Sequence, residues 1–120
     1  KNKIIISDKS IKEFKILNKI SKKRNLRLLD IGDTKIRIKK NKNLNLNEFQ
    51  LKNLSMAIVA AKICNINENK IFASLNKIKD VEGRLELVRT FQNNVKVFVD
   101  FAHTPDALLK SLKSFKDKWS

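Results

Sequence analysis

Residues Lys96–Leu108 read KVFVDFAHTPDAL, and this stretch decides how the chain is built. Lys96–Asp100 is rich in β-branched and aromatic residues and reads as a strand. Thr104 is a good N-cap, and Pro105, the only proline, stands at the first helical position, where its missing N–H costs nothing. The spacing predicts a final helix with Ala107, Leu108, Leu112 and Phe115 on its apolar face. Strand, tight turn and helix put Asp100 and His103 just beyond the carboxyl end of a strand, where α/β proteins place ligand crevices. The helix start would add free N–H groups and a positive dipole end, which suit an anionic ligand. The same turn can be read as purely structural, with Asp100 accepting backbone N–H bonds and His103 packed. One His and one Asp do not by themselves make a catalytic set or a metal site.

Moving outward, Arg84–Arg89 is expected to be a strand joined to Lys96–Asp100 through a turn at Phe91-Gln92-Asn93-Asn94. Lys79–Gly83 reads as a connection between structural units. Upstream, Leu51–Cys64 has helical spacing through Leu54, Ala57, Ile58, Ala61 and Cys64, with Asn65 ending it. Asn67 is placed to cap a shorter helix whose stripe is Ile71, Leu75 and Ile78, widened by Phe72. At the start, Ile4-Ile5-Ile6 suits a buried strand, and Ser10 with Glu13 has the capping-box pattern before a helix bearing Ile11, Phe14, Leu17 and Ile20. Leu26–Ile31 is then a second strand closed by Gly32. This is a βαβ unit, which implies parallel pairing. Thr34–Ile38 is expected to be a half-buried strand, Lys39–Asn43 a turn, and Leu44 and Leu46 an alternating pair.

The 120 residues suffice for one domain or parts of two, and 42% hydrophobic content belongs to a globular chain. The apolar runs are far shorter than a membrane span needs, and no signal-peptide pattern is present. The start at Lys1 fits a piece of a longer protein. Cys64 is the only cysteine, so no internal disulfide is possible, and it is expected to be a small buried hydrophobe in a reducing cytoplasm. The net charge of +15 invites a nucleic-acid reading. Two features oppose it: the basic residues are 22 Lys and only 5 Arg, and they are spread along the whole chain. Lys, Asn and Ile share AT-rich codons, so base composition accounts for the charge.

Val99–Leu108, VDFAHTPDAL, resembles the VDYAHTPDAL-type motif of the Mur ligases, in the UDP-N-acetylmuramoyl-tripeptide synthetase (MurE) branch. Glu82–Glu86, EGRLE, resembles the GRME-type element that opens that family's C-terminal domain. Phe49–Ala61, FQLKNLSMAIVAA, resembles its FNxxNxxAA-type helix late in the central ATPase domain. Folylpolyglutamate synthases look more like DGAHNP at the first motif, and Thr104-Pro105-Asp106 fits the tripeptide branch better.

The resemblance implies an α/β fragment, with 1–82 ending the central ATPase domain and 83–120 opening the Rossmann-like C-terminal domain. It implies an ATP- and Mg²⁺-dependent cytoplasmic ligase acting on UDP-MurNAc-L-Ala-D-Glu and a diamino acid, meso-diaminopimelate or L-lysine. Asn53, Arg84, Asp100 and His103 would contact nucleotide, with no catalytic residue and no metal ligand in this segment. No GxxxxGK[ST] phosphate loop is present, so the segment alone is expected to be inactive. Three positions depart from the family pattern: Asn47 where Gly is common, Gln50 for Asn, and Phe101 for Tyr. The rivals are another ligase of the superfamily, such as a folylpolyglutamate synthase, and a small basic nucleic-acid-binding protein.

Overall fold

The computed structural model describes residues 3–41, 44, 46–79 and 81–119. Lys42 and Asn43 of the expected turn, and Asp80 of the expected connection, lie outside the described residues. The chain divides into two compact units, Lys1–Asn76 and Lys77–Ser120, both mixing helices with a small two-stranded sheet.

In the first unit, β1 (Ile4–Ser7) and β2 (Arg27–Asp30) pair in parallel, Ile4 opposite Arg27 and Ser7 opposite Asp30. Helix α1 (Phe14–Lys23) connects them, so the expected βαβ unit is present. Its start differs from expectation. Ser10 does not cap it: the Ser10 amide and hydroxyl both donate to Asp8 Oδ1, at 2.9 and 2.6 Å. Buried Asp8 needs donors, and a local Asx turn supplies them before any helix can form.

The segment read as a strand at Thr34–Ile38 is instead helix α2 (Gly32–Lys39). Ile31, Thr34 and Ile38 are buried at helical spacing, whereas Ile36 is 56% exposed. The Ile36/Ile38 alternation was compatible with a strand, but burial follows the helical period. Gly32 lies close against the end of the Asp30 side chain at the helix start. Its N–H donates to Asp30 Oδ2 at 3.2 Å, and a Cβ there would lie 2.7 Å from that oxygen.

Helix α3 (Glu48–Ile63) begins earlier than its stripe suggested, because Asn47 and Gln50 form a reciprocal capping box. Asn47 Oδ1 accepts from Gln50 N at 2.9 Å, and Gln50 Oε1 accepts from Asn47 N at 3.0 Å. Two departures from the family pattern therefore answer each other at one helix start. The buried side of α3 is Leu51, Ser55, Ile58 and Val59. Ser55 is tolerated there because its hydroxyl donates to the Leu51 carbonyl at 2.7 Å. At about 100° per residue, Cys64 falls well over 120° from that side, and it is exposed, not buried as expected.

Asn65, at φ 60°, ends α3. Asn67 caps α4 (Glu68–Ser74) by accepting from Lys70 N at 3.2 Å, and a 3-10 turn, Leu75–Lys77, follows. Ile78 lies past that turn and is exposed rather than continuing the stripe. Ile38, Leu51, Ile58, Ile71 and Leu75 form the core, with Leu44, Leu46, Leu54, Ala61 and Phe72 packed against it.

An ionic network ties β1, α2 and α3 together. Lys35 Nζ lies 3.1 Å from Asp8 and 2.7 Å from Glu48, and Lys52 Nζ lies 3.4 Å from Asp8. Burial pushes the Asp8 carboxyl up, but bonds from Ser10 and Lys35 outweigh it and hold the group well below the carboxylate range. The Lys35 amine is raised, chiefly by its bond to Glu48. The Asp8 contribution is complete above its ordinary value of 3.8 and is lost as pH falls through the depressed one. The Lys35 contribution is complete below 10.5 and is lost as pH rises through the raised value. Urea midpoints of this unit should therefore be flat across neutral pH and fall progressively below about pH 4. A midpoint unchanged down to pH 2 would refute the role given to Asp8.

In the second unit, β3 (Glu86–Thr90) and β4 (Lys96–Val99) pair antiparallel, with a register shift between Leu87 and Arg89. Asn94, at φ 61°, sits in the expected turn. Arg84 precedes the strand instead of opening it, because Leu85 at φ 51° breaks the extended run. Helix α5 (Pro105–Trp119) follows, with Ala107 N donating to the Thr104 hydroxyl at 3.2 Å. Its packed side runs through half-buried Ala107, buried Ser111 and half-buried Phe115, while Leu108 and Leu112 are more than half exposed. Phe115 meets Phe98 of β4, ring centroids 4.7 Å apart.

Candidate functional site

The geometry with most chemical content lies at the end of β4 and the turn before β3. Gly83 takes φ 68°, a conformation that suits glycine, and its N–H donates to Glu86 Oε2 at 2.6 Å. With Leu85 also left-handed, this turn sets Arg84 apart from the strand. The Arg84 guanidinium stands over the Phe101 ring, 4.9 Å from its centroid. The His103 ring meets Phe101 nearly edge-on, at 5.2 Å and 73°. His103 Nδ1 lies 3.0 Å from the Phe101 carbonyl, which can only accept, so an N–H at Nδ1 donates to it.

Both carboxylate oxygens of Asp100 accept a hydrogen bond from the protein. Oδ1 accepts from Leu85 N at 3.2 Å, and Oδ2 accepts from the Ser111 hydroxyl. Ser111 is 5% exposed, and its single hydroxyl proton is shared between Asp100 Oδ2 and the Ala107 carbonyl, 3.1 Å away. One carboxylate thus joins the turn before β3, the end of β4 and the first turns of α5.

Of the four residues singled out from sequence, Arg84, Asp100 and His103 belong to the second unit, and all three meet Phe101 or the turn beside it. Asn53 belongs to the first unit, on the exposed side of α3. Sequence reasoning missed Ser111 and treated Phe101 only as a substituted Tyr. The i, i+4, i+8 series Ala107–Ser111–Phe115 was the available signal for the first.

A second crevice, about 460 Å³, lies at the carboxyl ends of β1 and β2, lined by Asp8, Lys9, Asp30 and Lys35 among others. Asp30 already occupies its anion position, accepting from Lys9 N at 2.7 Å and from Gly32 N. Among the described residues no group of three His, Cys, Asp or Glu gathers to hold a metal ion, and no helix is long and apolar enough to cross a membrane.

No protein-family model matches the chain, and no solved structure matches it. Curated proteins do. The chain is 38% identical over 72 residues to the UDP-N-acetylmuramoyl-L-alanyl-D-glutamate–2,6-diaminopimelate ligase of Rickettsia felis, covering 60% of the chain and 13% of that protein. The ligase of the same name from Lactiplantibacillus plantarum is 38% identical over 72 residues, 60% of the chain and 14% of the relative. That from Coxiella burnetii is 33% identical over 69 residues, 58% of the chain and 14% of the relative. The chain therefore spans about one-seventh of the length of the relatives it matches. The likeness to the tripeptide-synthetase branch of the Mur ligases, carried by the three motifs, is borne out by these relatives.

Proposed function

We propose that this chain is the segment of an ATP-dependent, ADP-forming amide ligase in which a central ATPase domain, residues 1–82, passes into a C-terminal domain, residues 83–120. The similarity to curated diaminopimelate-adding ligases carries this reading. In the whole enzyme, the γ-phosphoryl group of ATP would pass to the carboxylate of UDP-MurNAc-L-Ala-D-Glu, giving an acyl phosphate and ADP. The amine of a diamino acid would then attack the acyl carbon, phosphate would leave with the bonding electron pair, and the amine would lose a proton. Peptidoglycan synthesis in the cytoplasm is the setting this chemistry implies.

This segment would supply recognition of the nucleotide rather than covalent chemistry. The Arg84 guanidinium is suited to phosphate oxygens, which it can meet with two parallel N–H bonds. Among the described residues no carboxylate forms an ion pair with it. His103 would offer a donor or acceptor beside it, and Asn53 is a separate nucleotide-contact candidate in the first unit. Asp100, in the same reading, contacts nucleotide as well as tying the turn together. Mg²⁺ would neutralise phosphate charge, but the described residues of this segment do not fit a metal site.

The test is Arg84→Ala in the full-length ligase. Loss of one charge-assisted contact, about 1.4 kcal/mol, should raise KM for ATP roughly tenfold. The unfolding midpoint should stay within about 0.5 kcal/mol of wild type, as for surface changes generally. An unchanged KM for ATP at matched activity would reject the assignment.

A further inference from the structure

We propose that Phe101 is a positioning residue for Arg84, a role that rests on the reading of Arg84 as a phosphate contact. The Phe101 side chain is 65% exposed, so burial does not explain where its ring stands. Its neighbours do. The Arg84 guanidinium lies over one part of the ring at 4.9 Å, and the His103 imidazole abuts it nearly perpendicular at 5.2 Å.

The arrangement is layered from backbone outward. The Thr104 cap fixes the start of α5. The bond between His103 Nδ1 and the Phe101 carbonyl sets the imidazole, and the imidazole limits rotation of the Phe101 ring. From the other side, Gly83 and Leu85 in left-handed conformations aim the Arg84 backbone, and Leu85 N is pinned by Asp100. The ring closes the gap between these two supports. An arginine has many rotamers, and holding one of them before the ligand arrives reduces the ordering cost of binding. The aromatic face attracts the guanidinium without using its N–H groups, which stay available to phosphate oxygens. Any planar hydrocarbon ring serves; the hydroxyl of the more usual Tyr is not needed.

The test compares Phe101→Leu, Phe101→Tyr, Arg84→Ala and the double variant Phe101→Leu/Arg84→Ala in the full-length ligase. An exposed cation–π contact corresponds to a factor of about two to five. Phe101→Leu should raise KM for ATP by about that factor, with kcat and the unfolding midpoint close to wild type. Phe101→Tyr should restore the wild-type KM. In the Arg84→Ala background, Phe101→Leu should add nothing, the signature of a residue acting through another. In the 120-residue chain, His103 is the only histidine, so its imidazole proton signal reports the ring directly. That signal should lose its ring-current displacement in Phe101→Leu and keep it in Phe101→Tyr. A wild-type KM in Phe101→Leu, or an effect undiminished without Arg84, overturns the inference while leaving the nucleotide site in place. A wild-type KM in Arg84→Ala overturns that site and the inference with it.

Discussion

Leu75→Ala should destabilise the first unit by about 3 kcal/mol, within the 2–5 kcal/mol range for buried Leu truncations. Leu75 is 2% exposed and belongs to the cluster of Ile38, Leu51, Ile58 and Ile71. It sits where α4 gives way to a 3-10 turn, so neighbouring backbone held by Asn67 and Ile71 has little freedom to collapse into the space. The lost methyl groups forfeit both transfer energy and their packing contacts. At roughly 0.05–0.15 kcal/mol per residue, a unit of this size has about 4–11 kcal/mol of stability in total. The expected melting-point loss is therefore about 12–24 °C. Ile36→Ala is the control in the same unit: Ile36 is 56% exposed, and its truncation should change stability by less than about 0.5 kcal/mol. A loss below about 1 kcal/mol for Leu75→Ala would mean that this cluster is not the core.

Asp100→Ala should cost the second unit about 2–3 kcal/mol, because two bonds to a charged acceptor vanish together. The Leu85 amide loses its partner in a turn that already holds a non-glycine residue at φ 51°. The Ser111 hydroxyl keeps only its bond to the Ala107 carbonyl. Asp100→Asn should recover roughly half, since its carbonyl oxygen can still accept from Leu85 N while its amide can donate to Ser111. Urea titration with amide exchange at Leu85 measures both variants. If Asp100 acts on nucleotide alone, Asp100→Ala leaves the midpoint and the Leu85 exchange rate unchanged and alters only KM for ATP. That outcome would reject the structural role.

The two halves of the site were not equally legible. KVFVDFAHTPDAL announced a strand, a cap and a helix because each signal is short-range: β-branched residues, Thr104 and Pro105 act within a few positions. His103 stood out by its place just beyond that strand, and Arg84 only through the resemblance of Glu82–Glu86 to a family motif. Their meeting on Phe101 was not legible, since it depends on Gly83 and Leu85 turning the chain before β3. The partner of Asp100 was hidden as well. Nothing in the sequence reading picked out Ser111, yet it is buried because that carboxylate satisfies it.

The sequence by itself determined the βαβ unit, the hairpin, the caps at Asn67 and Thr104 and the turn at Asn94, all set by local conformational preference. Only the tertiary structure decided that Gly32–Lys39 is a helix, that α3 buries the Leu51–Ser55–Ile58 side and that Cys64 faces solvent. A five-residue segment fits a period of 2 or of 3.6 equally well, and the choice falls to whichever side chains the neighbouring elements can cover. A buried hydroxyl or carboxylate has no fixed preference until its hydrogen-bond partner is in place, and that partner comes from another part of the chain.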